Sequence, residues 1–280
     1  MKTRIIIDST ADLAAELRPR FTIIPLTLRF GEEEFIDGVT ISRREFYEKL
    51  VESDVLPTTS QVTPYTFTNA FRQAVDAGED VVCITISGKL SGTCQSAMIA
   101  AEDFPGRVYV VDSHSVALGS GILAEYALQL ADSGMEAREI AERLIAERDN
   151  VCLIAMLDTL EYLKRGGRIS KTTAIAGELL SIKPVISIPN GEITILGKAR
   201  GSRNGNNLLV KEIQKAGGVN FARPVLLGYT GLSDALLQKY IHDSAPLWQE
   251  HMDELHSTIV GSVVGTHAGP GAIAVAFFRN

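Results

Sequence analysis

The apolar positions of this chain fall into short β-branched runs separated by stretches with helical spacing. Arg4-Ile-Ile-Ile7, Val81-Val-Cys-Ile-Thr-Ile86 and Arg107-Val-Tyr-Val-Val111 are almost uninterrupted, the pattern of strands buried on both faces. Thr22-Ile-Ile-Pro-Leu-Thr-Leu28 reads as another strand, and Pro25 confines it to an edge or a bulge because it lacks a ladder donor. Asp8–Asp12 is expected to open a helix, with Asp8 or Ser9 serving either as its N-cap or as a ligand group. Gly31–Gly38 reads as a hairpin or an exposed excursion. Ser42-Arg-Arg-Glu45 is a capping box for a helix over 46–51, and Thr63 caps a helix that starts at Pro64. Met135–Arg148 is amphipathic, with Ile140, Leu144 and Ile145 on one side.

Alternation of strand and helix through this half argues for a mostly parallel sheet covered on both faces. Past residue 150 the pattern changes. Val151–Leu157 is a strand, and Leu163-Lys-Arg-Gly-Gly-Arg-Ile-Ser170 is a basic glycine turn leading into a helix to about Leu180. Pro184–Ile188 and Glu192–Leu196 form a hairpin about Asn190-Gly191. A helix over Asn206–Lys215 and strands at Pro224–Tyr229, Ile259–Val264 and Ala272–Phe278 complete the chain. The expected fold class is α/β: an N-terminal, mostly parallel α/β domain over residues 1–155, packed against a C-terminal α+β domain over 156–280.

In such sheets ligands sit beyond the carboxyl ends of the strands. Asp8, Ser91 and Asp112 all follow strands, so their loops are expected to face one crevice. Ser87-Gly-Lys-Leu-Ser-Gly-Thr-Cys-Gln-Ser96 runs from a buried strand into a helix. Its free N–H groups, the helix dipole and the hydroxyls of Ser87, Ser91 and Thr93 make a ready site for an anion. The alternative is that Ser91 or Thr93 simply N-caps the helix. Gly265-Thr-His-Ala-Gly-Pro-Gly271 reads as a glycine-rich turn between two strands, placing His267 among exposed N–H groups as a ligand candidate. Leu56–Pro64 is a hydroxyl-rich loop pinned by two prolines.

Composition narrows the chemistry. The 280 residues carry a formal charge of −7, with 45% hydrophobic and 22% charged side chains, which argues against a general nucleic-acid surface. Cys83, Cys94 and Cys152 show no CxxC or Cys/His spacing and read as free thiols in a reducing compartment. No signal peptide and no apolar run long enough to span a bilayer is recognised, so a cytoplasmic location is expected. His251 and His256 lack zinc spacing. A serine hydrolase would show G-x-S-x-G, whereas Gly88-Lys-Leu precedes Ser91. No P-loop is present. Gly119-Ser-Gly121-Ile-Leu-Ala124 imitates a dinucleotide fingerprint but lies seven residues past its strand, and close helix packing explains it better.

Six motifs, in order, resemble the DegV family: Asp8-Ser-Thr-Ala-Asp12-Leu, Thr58-Thr-Ser-Gln61, Ser87…Leu90-Ser-Gly-Thr-Cys-Gln-Ser-Ala97, Leu160–Ser170, Lys183-Pro and Gly265–Gly271. That family includes the fatty-acid-binding subunits of bacterial fatty acid kinase. The resemblance implies a fatty acid held between two domains, its carboxylate on Thr59, Ser91 and His267, with Ser60, Gly92, Thr93 and Thr266 in supporting loops. It implies no cofactor, a lipid-binding carrier instead of an enzyme, and catalysis in a separate ATP-dependent kinase. The implied partners are a long-chain fatty acid such as palmitate and the kinase's catalytic subunit, with transient membrane contact and no nucleic acid. Arg168 and Arg203, in the densest basic runs, are expected to face the kinase and the acyl phosphate. Cys94 departs from the family pattern, where an aromatic residue follows S-G-T, and so does Gln61-Val-Thr-Pro, where Pro more often follows Gln directly.

A buried carboxylate needs several donors, or it would protonate or stay in water. The tail contributes about 0.8 kcal/mol per buried methylene, so about fourteen methylenes gross roughly 11 kcal/mol against association costs of about 4–15 kcal/mol. The tail therefore dominates affinity and the head group sets orientation. The alternative class is an enzyme acting on a small acyl or phosphate ester, with Ser91 as nucleophile and His267 as base.

Overall fold

The computed structural model describes residues 2–169 and 182–280. Three sheets organise them. β1 (Thr3–Asp8), β2 (Thr22–Ile24), β6 (Asp80–Thr85) and β7 (Val108–Asp112) form an all-parallel sheet in the order β2-β1-β6-β7. β3 (Thr27–Phe30), β4 (Glu33–Ile36) and β5 (Thr58–Ser60) form a small antiparallel sheet in the order β4-β3-β5. β8 (Val151–Met156), β9 (Ile182–Ser187), β10 (Thr194–Arg200), β11 (Val225–Tyr229), β12 (His256–Ile259) and β13 (Ile273–Phe278) form a mixed sheet, β10-β9-β8-β13-β11-β12. The chain is thus of the α/β class, a parallel α/β part packed on an α+β part.

Side-chain alternation sets the layers. On β1, Ile5 and Ile7 face one core while Ile6 faces another. The Ile6 face packs under α1 (Arg43–Glu52), α2 (Pro64–Asp76) and α3 (Thr93–Ala101). The Ile5 and Ile7 face meets α4 (Ala117–Asp132) and α5 (Ala137–Glu147). The opposite side of α4 lies on the mixed sheet, against Ala274, Ala276 and Phe278 of β13. The other residues of β13, Ile273, Val275 and Phe277, join a third core with α7 (Gly201–Lys215) and α8 (Ala235–Asp243). Gly121 belongs to this packing, because a Cβ there would strike the backbone carbonyl of Asp12. The fingerprint-like glycines are therefore a close-packing device.

Local signals hold where the chemistry is local. Ser42 and Glu45 make the reciprocal capping box, Thr63 Oγ1 accepts the Thr66 N–H, and β9 and β10 are antiparallel about a turn with Asn190 at φ 52° and Gly191 at φ 83°. Several expectations are corrected. β2 does lie at an edge of its sheet, as Pro25 requires, but the expected single strand over 22–28 is divided there, and the chain resumes in a different sheet as β3. No helix follows Asp8. Its carboxylate accepts the N–H groups of Thr10 and Ile86, at 2.9 and 2.7 Å, which folds a turn in place of a helix. Residues 262–264, expected in a strand, begin a helix, α10 (Ser262–Ala268), which follows α6 (Glu161–Arg165) and the four-residue α9 (Ala245–Trp248) in the chain. The Lys198–Arg203 run is not a loop but the end of β10 and the first turn of α7. Ile145 is exposed, because Ile140, Ala141 and Leu144 already fill the face of α5 that meets the sheet. The helix expected up to Leu180, and Ser170 with it, lies outside the described residues.

Phe277 is fully buried in the core of the mixed sheet. Phe277→Ala is expected to lower unfolding free energy by about 3–5 kcal/mol, read from urea denaturation as a fall in midpoint at unchanged slope.

Candidate functional site

Where the parallel sheet, the mixed sheet and α10 converge, the protein encloses a cavity of about 230 Å³. Its apolar wall comes from Leu153, Ala155, Ile186, Gly228 and Ala274 on the mixed sheet, with Val116 and Ala117 at the start of α4. The reason a cavity exists there is legible in β13. Of its residues facing α4, Ala274 and Ala276 are small and only Phe278, at the far end of the strand, is large, while those on the opposite face are Ile273, Val275 and Phe277. Ala155 and Gly228 extend the small-residue surface to the neighbouring strands. The sequence reading missed this wall, although the Ala/large alternation in Ile273-Ala-Val-Ala-Phe277 was its signal.

The polar groups gather together in the wall. Thr59, at the middle of β5 opposite Leu28, places Oγ1 3.0 Å from His267 Nε2 on α10. Arg168 lies beside them, donating from Nε to the Leu90 carbonyl at 3.2 Å and from Nη1 to the Gly166 carbonyl at 2.6 Å. Among the described lining residues it carries the only formal positive charge. Ser91 follows Leu90 in the same wall, with Ser60, Gly92 and Gln61. Gln61, quoted in its motif but given no role, packs its amide against Gly92 and donates to Ser96 Oγ at 3.1 Å, so it braces the Ser91–Gly92 turn.

The other residues named from sequence sit elsewhere. Thr93 is buried behind Ser91, its Oγ1 3.0 Å from Ser91 Oγ, and accepts the Val62 N–H. Thr266 is helical, not in a loop, and donates to the Ser262 carbonyl at 3.0 Å. Neither lines the cavity. Arg203 is exposed on the first turn of α7 and is also outside the wall. Cys94 is buried but not in the wall, so its departure from the family pattern does not alter the lining.

The expected nest of free amides is also corrected. Gly88 donates to Asp112 Oδ2, Lys89 to Ser87 Oγ, and both Leu90 and Ser91 to the Ser87 carbonyl. Ser87 itself is fully buried and donates to the Gly191 carbonyl at 2.9 Å, tying this loop to the β9–β10 turn. Gly92, not Ser91 or Thr93, is the N-cap of α3, and no side chain caps it directly. An anion here would therefore be met mainly by side chains. Asp8 and Asp112 spend their carboxylates on backbone N–H groups and do not enter the cavity.

His267 is neutral at ordinary pH. Burial, with a smaller contribution from the Arg168 charge, lowers its pKa from 6.5 to about 4. Its Nδ1 faces Gly166 and has no hydrogen-bond partner among the described residues. With the proton on Nε2, the ring donates to Thr59 Oγ1 and leaves the threonine hydroxyl hydrogen for an acceptor in the cavity. Burial likewise lowers the pKa of Arg168, since a desolvated cation without a counter-ion is unfavourable. A carboxylate placed between these groups would relieve both.

Between about pH 4 and 6.5 the unfolded chain holds a proton on His267 that the folded protein does not. This group's contribution to stability therefore rises with pH through that window and is lost as pH falls toward 4. His267→Gln is expected to gain stability relative to wild type as pH is lowered from 6.5 to 4, measured by urea unfolding at a series of pH values. A gap that stays constant across the window contradicts the neutral buried imidazole.

Comparison with known proteins agrees with this architecture. The family described as "Uncharacterised protein, DegV family" matches residues 2–280. A DegV domain-containing protein of Deinococcus radiodurans is 34% identical over 282 residues, covering 99% of this chain and 98% of its own. A DegV family protein from Thermus thermophilus, described for its fatty acid binding, superposes with a TM-score of 0.87 at 31% identity, covering 99% of this chain and 100% of that one. The Streptococcus pneumoniae fatty acid kinase (Fak) B3 protein, loaded with linoleic acid, shares the fold with a TM-score of 0.85 at 23% identity over the whole of both chains. No helix among the described residues is long and apolar enough to cross a membrane. On the extent of the family match and of the Deinococcus likeness, this chain belongs to the DegV family.

Proposed function

We propose that this protein binds one long-chain fatty acid in the cavity and presents its carboxylate to a separate kinase. The observation that carries the reading is the gathering of Thr59, His267, Ser91 and Arg168 in one part of an otherwise apolar wall. A carboxylate taken out of water requires such donors, and charge-assisted bonds are the stronger kind. The small residues Ala155, Gly228 and Ala274 keep that part of the wall open, which supports its use by an acyl tail. The fatty acid binding named for the Thermus thermophilus relative supports the ligand class. The kinase step draws on the fold shared with the pneumococcal Fak B3 protein. The ligand lies, on this reading, between an N-terminal unit of residues 1–155 and a C-terminal unit of 156–280.

The competing enzymatic reading needs a serine within reach of a base. The hydrogen bonds formed here are Thr59 with His267 and Ser91 with Thr93, so the nucleophile–base pair is not assembled. Mass spectrometry of the organic extract of purified protein separates the two readings. A stoichiometric fatty acid is expected, whereas an empty protein that hydrolyses acyl esters overturns the proposal.

Thr59→Ala and Ser91→Ala are each expected to weaken palmitate binding by about 1–3 kcal/mol, the cost of leaving a buried polar partner unsatisfied. Ala274→Leu fills the tail space and should lower affinity for long chains while leaving the unfolding midpoint at or above that of wild type. Fluorescent fatty-acid displacement reads all three, and unchanged affinities reject the assignment of the cavity.

The two arginines play different parts. Arg168, in the wall, meets the carboxylate or acyl phosphate, and Arg203, on the surface, meets the kinase. Arg168→Glu should therefore abolish loading. Arg203→Glu should load normally but be phosphorylated more slowly, most severely at low salt, where repulsion is least screened. A normal phosphorylation rate for loaded Arg203→Glu at two ionic strengths removes Arg203 from the partner surface.

A further inference from the structure

His267 is delivered to the cavity by α10, and α10 starts in a cluster of buried charge from the other end of the chain. Asp12 Oδ1 accepts the N–H of Gly261, the N-cap of α10, at 3.0 Å, and Asp37 Oδ1 accepts the N–H of Ser262 at 3.3 Å. Arg43, the first residue of α1, donates from Nη2 to the same Asp12 oxygen at 2.8 Å. Its Nη1 donates to Thr258 Oγ1 at 3.0 Å and to the Ile259 carbonyl. Tyr47, one turn along α1, donates to the Val260 carbonyl at 3.1 Å. Five consecutive residues, 258–262, are thus held through backbone or side chain by groups that all lie before residue 53.

This arrangement is unfavourable as a source of stability. Asp12 is fully buried and Asp37 nearly so, and burial raises both carboxyls, Asp12 to about 6 despite the pull of Arg43. The second Asp12 oxygen has no partner among the described residues. Buried ion pairs seldom stabilise more than apolar packing of the same volume, and in some proteins they instead fix one geometry. What this cluster specifies is the origin of α10. The helix also rests directly on α1 at Gly265, where a Cβ would lie 2.6 Å from Tyr47 Oη and 2.8 Å from the Phe46 ring. His267 is six residues, about 9 Å along the axis, from Gly261. A small tilt or slide at the anchored end would therefore part Nε2 from Thr59.

We propose that Asp12, Asp37 and Arg43 are positioning residues that fix the start of α10, so that His267 enters the cavity wall in register with Thr59. The consequence for affinity rests on the reading of the hydrogen-bonded Thr59–His267 pair as part of the carboxylate site. The consequence for the imidazole itself does not.

The test compares Asp12→Asn, Arg43→Lys and His267→Gln with the wild type, following the histidine ring resonances by NMR titration and measuring palmitate affinity on the same samples. In folded Asp12→Asn the His267 midpoint is expected to rise from about 4 toward the free value, and palmitate affinity to fall about tenfold, the scale of one charge-assisted hydrogen bond. Arg43→Lys, which keeps the charge but not the two-armed reach, is expected to fall between. An unmoved His267 titration in folded Asp12→Asn overturns the proposal, and so does a loss of affinity with an unmoved titration. If Asp12→Asn does not fold, the Arg43→Lys titration decides in the same way. Should Asp12→Asn shift the titration while palmitate affinity stays unchanged, the head-group reading fails and the positioning role stands.

Discussion

Two sheets of different construction press on one helix, and the rest of the molecule follows from that. α4 is buried around almost its whole circumference from Ala117 to Leu128. One side meets Ile5, Ile7, Val82 and Ile84 of the parallel sheet, and the other meets the mixed sheet. A helix that must satisfy two flat surfaces at once cannot fill every gap between them. Packing at interior density normally removes such gaps. Here the facing strands carry Ala155, Gly228 and Ala274, so the gap persists and becomes the cavity.

The polar part of the wall is built differently, from segments that the sheets do not themselves supply. β5 contributes Thr59, the turn after β6 contributes Ser91, the turn after α6 contributes Arg168, and α10 contributes His267. Three of these segments are held by further hydrogen bonds from their neighbours. Gln61 and Thr93 hold the Ser91 turn, Gly166 and Leu90 hold Arg168, and the carboxylates of Asp12 and Asp37 hold α10. Burial then makes His267 neutral and Arg168 costly. The site is thus organised around an acceptor it does not itself contain.

Close approach between backbone segments is the remaining constraint. α10 lies between α1 and the turn after α6, touching Tyr47 and Phe46 at Gly265 and bringing His267 Nδ1 against Gly166. No other side chain fits at those two positions. The glycines of two separate sequence motifs therefore serve a single purpose, which is to let one short helix sit close enough to both neighbours.

The sequence by itself determined the elements whose signals are carried within a few residues. The β-branched runs of β1, β6 and β7, the capping box at Ser42, the Thr63-Pro64 helix start and the Asn190-Gly191 turn all appear where local chemistry requires them. Motif residues also brought Thr59 and His267 to notice before their contact was known. Only the tertiary structure decided that residues 262–268 are helical. That short stretch carries no strong periodicity, and its first N–H groups are capped by Asp12 and Asp37, more than 200 positions away in the chain. It likewise decided that Pro25 divides two sheets, that the amides of Gly88–Ser91 are already engaged, and that Ile145 faces solvent. The wall of small residues needed three strands, from residues 151 to 278, to be seen side by side. Periodicity records which face of an element is apolar. What lies against that face, and whether a space is left there, depends on partners that no local window of sequence contains.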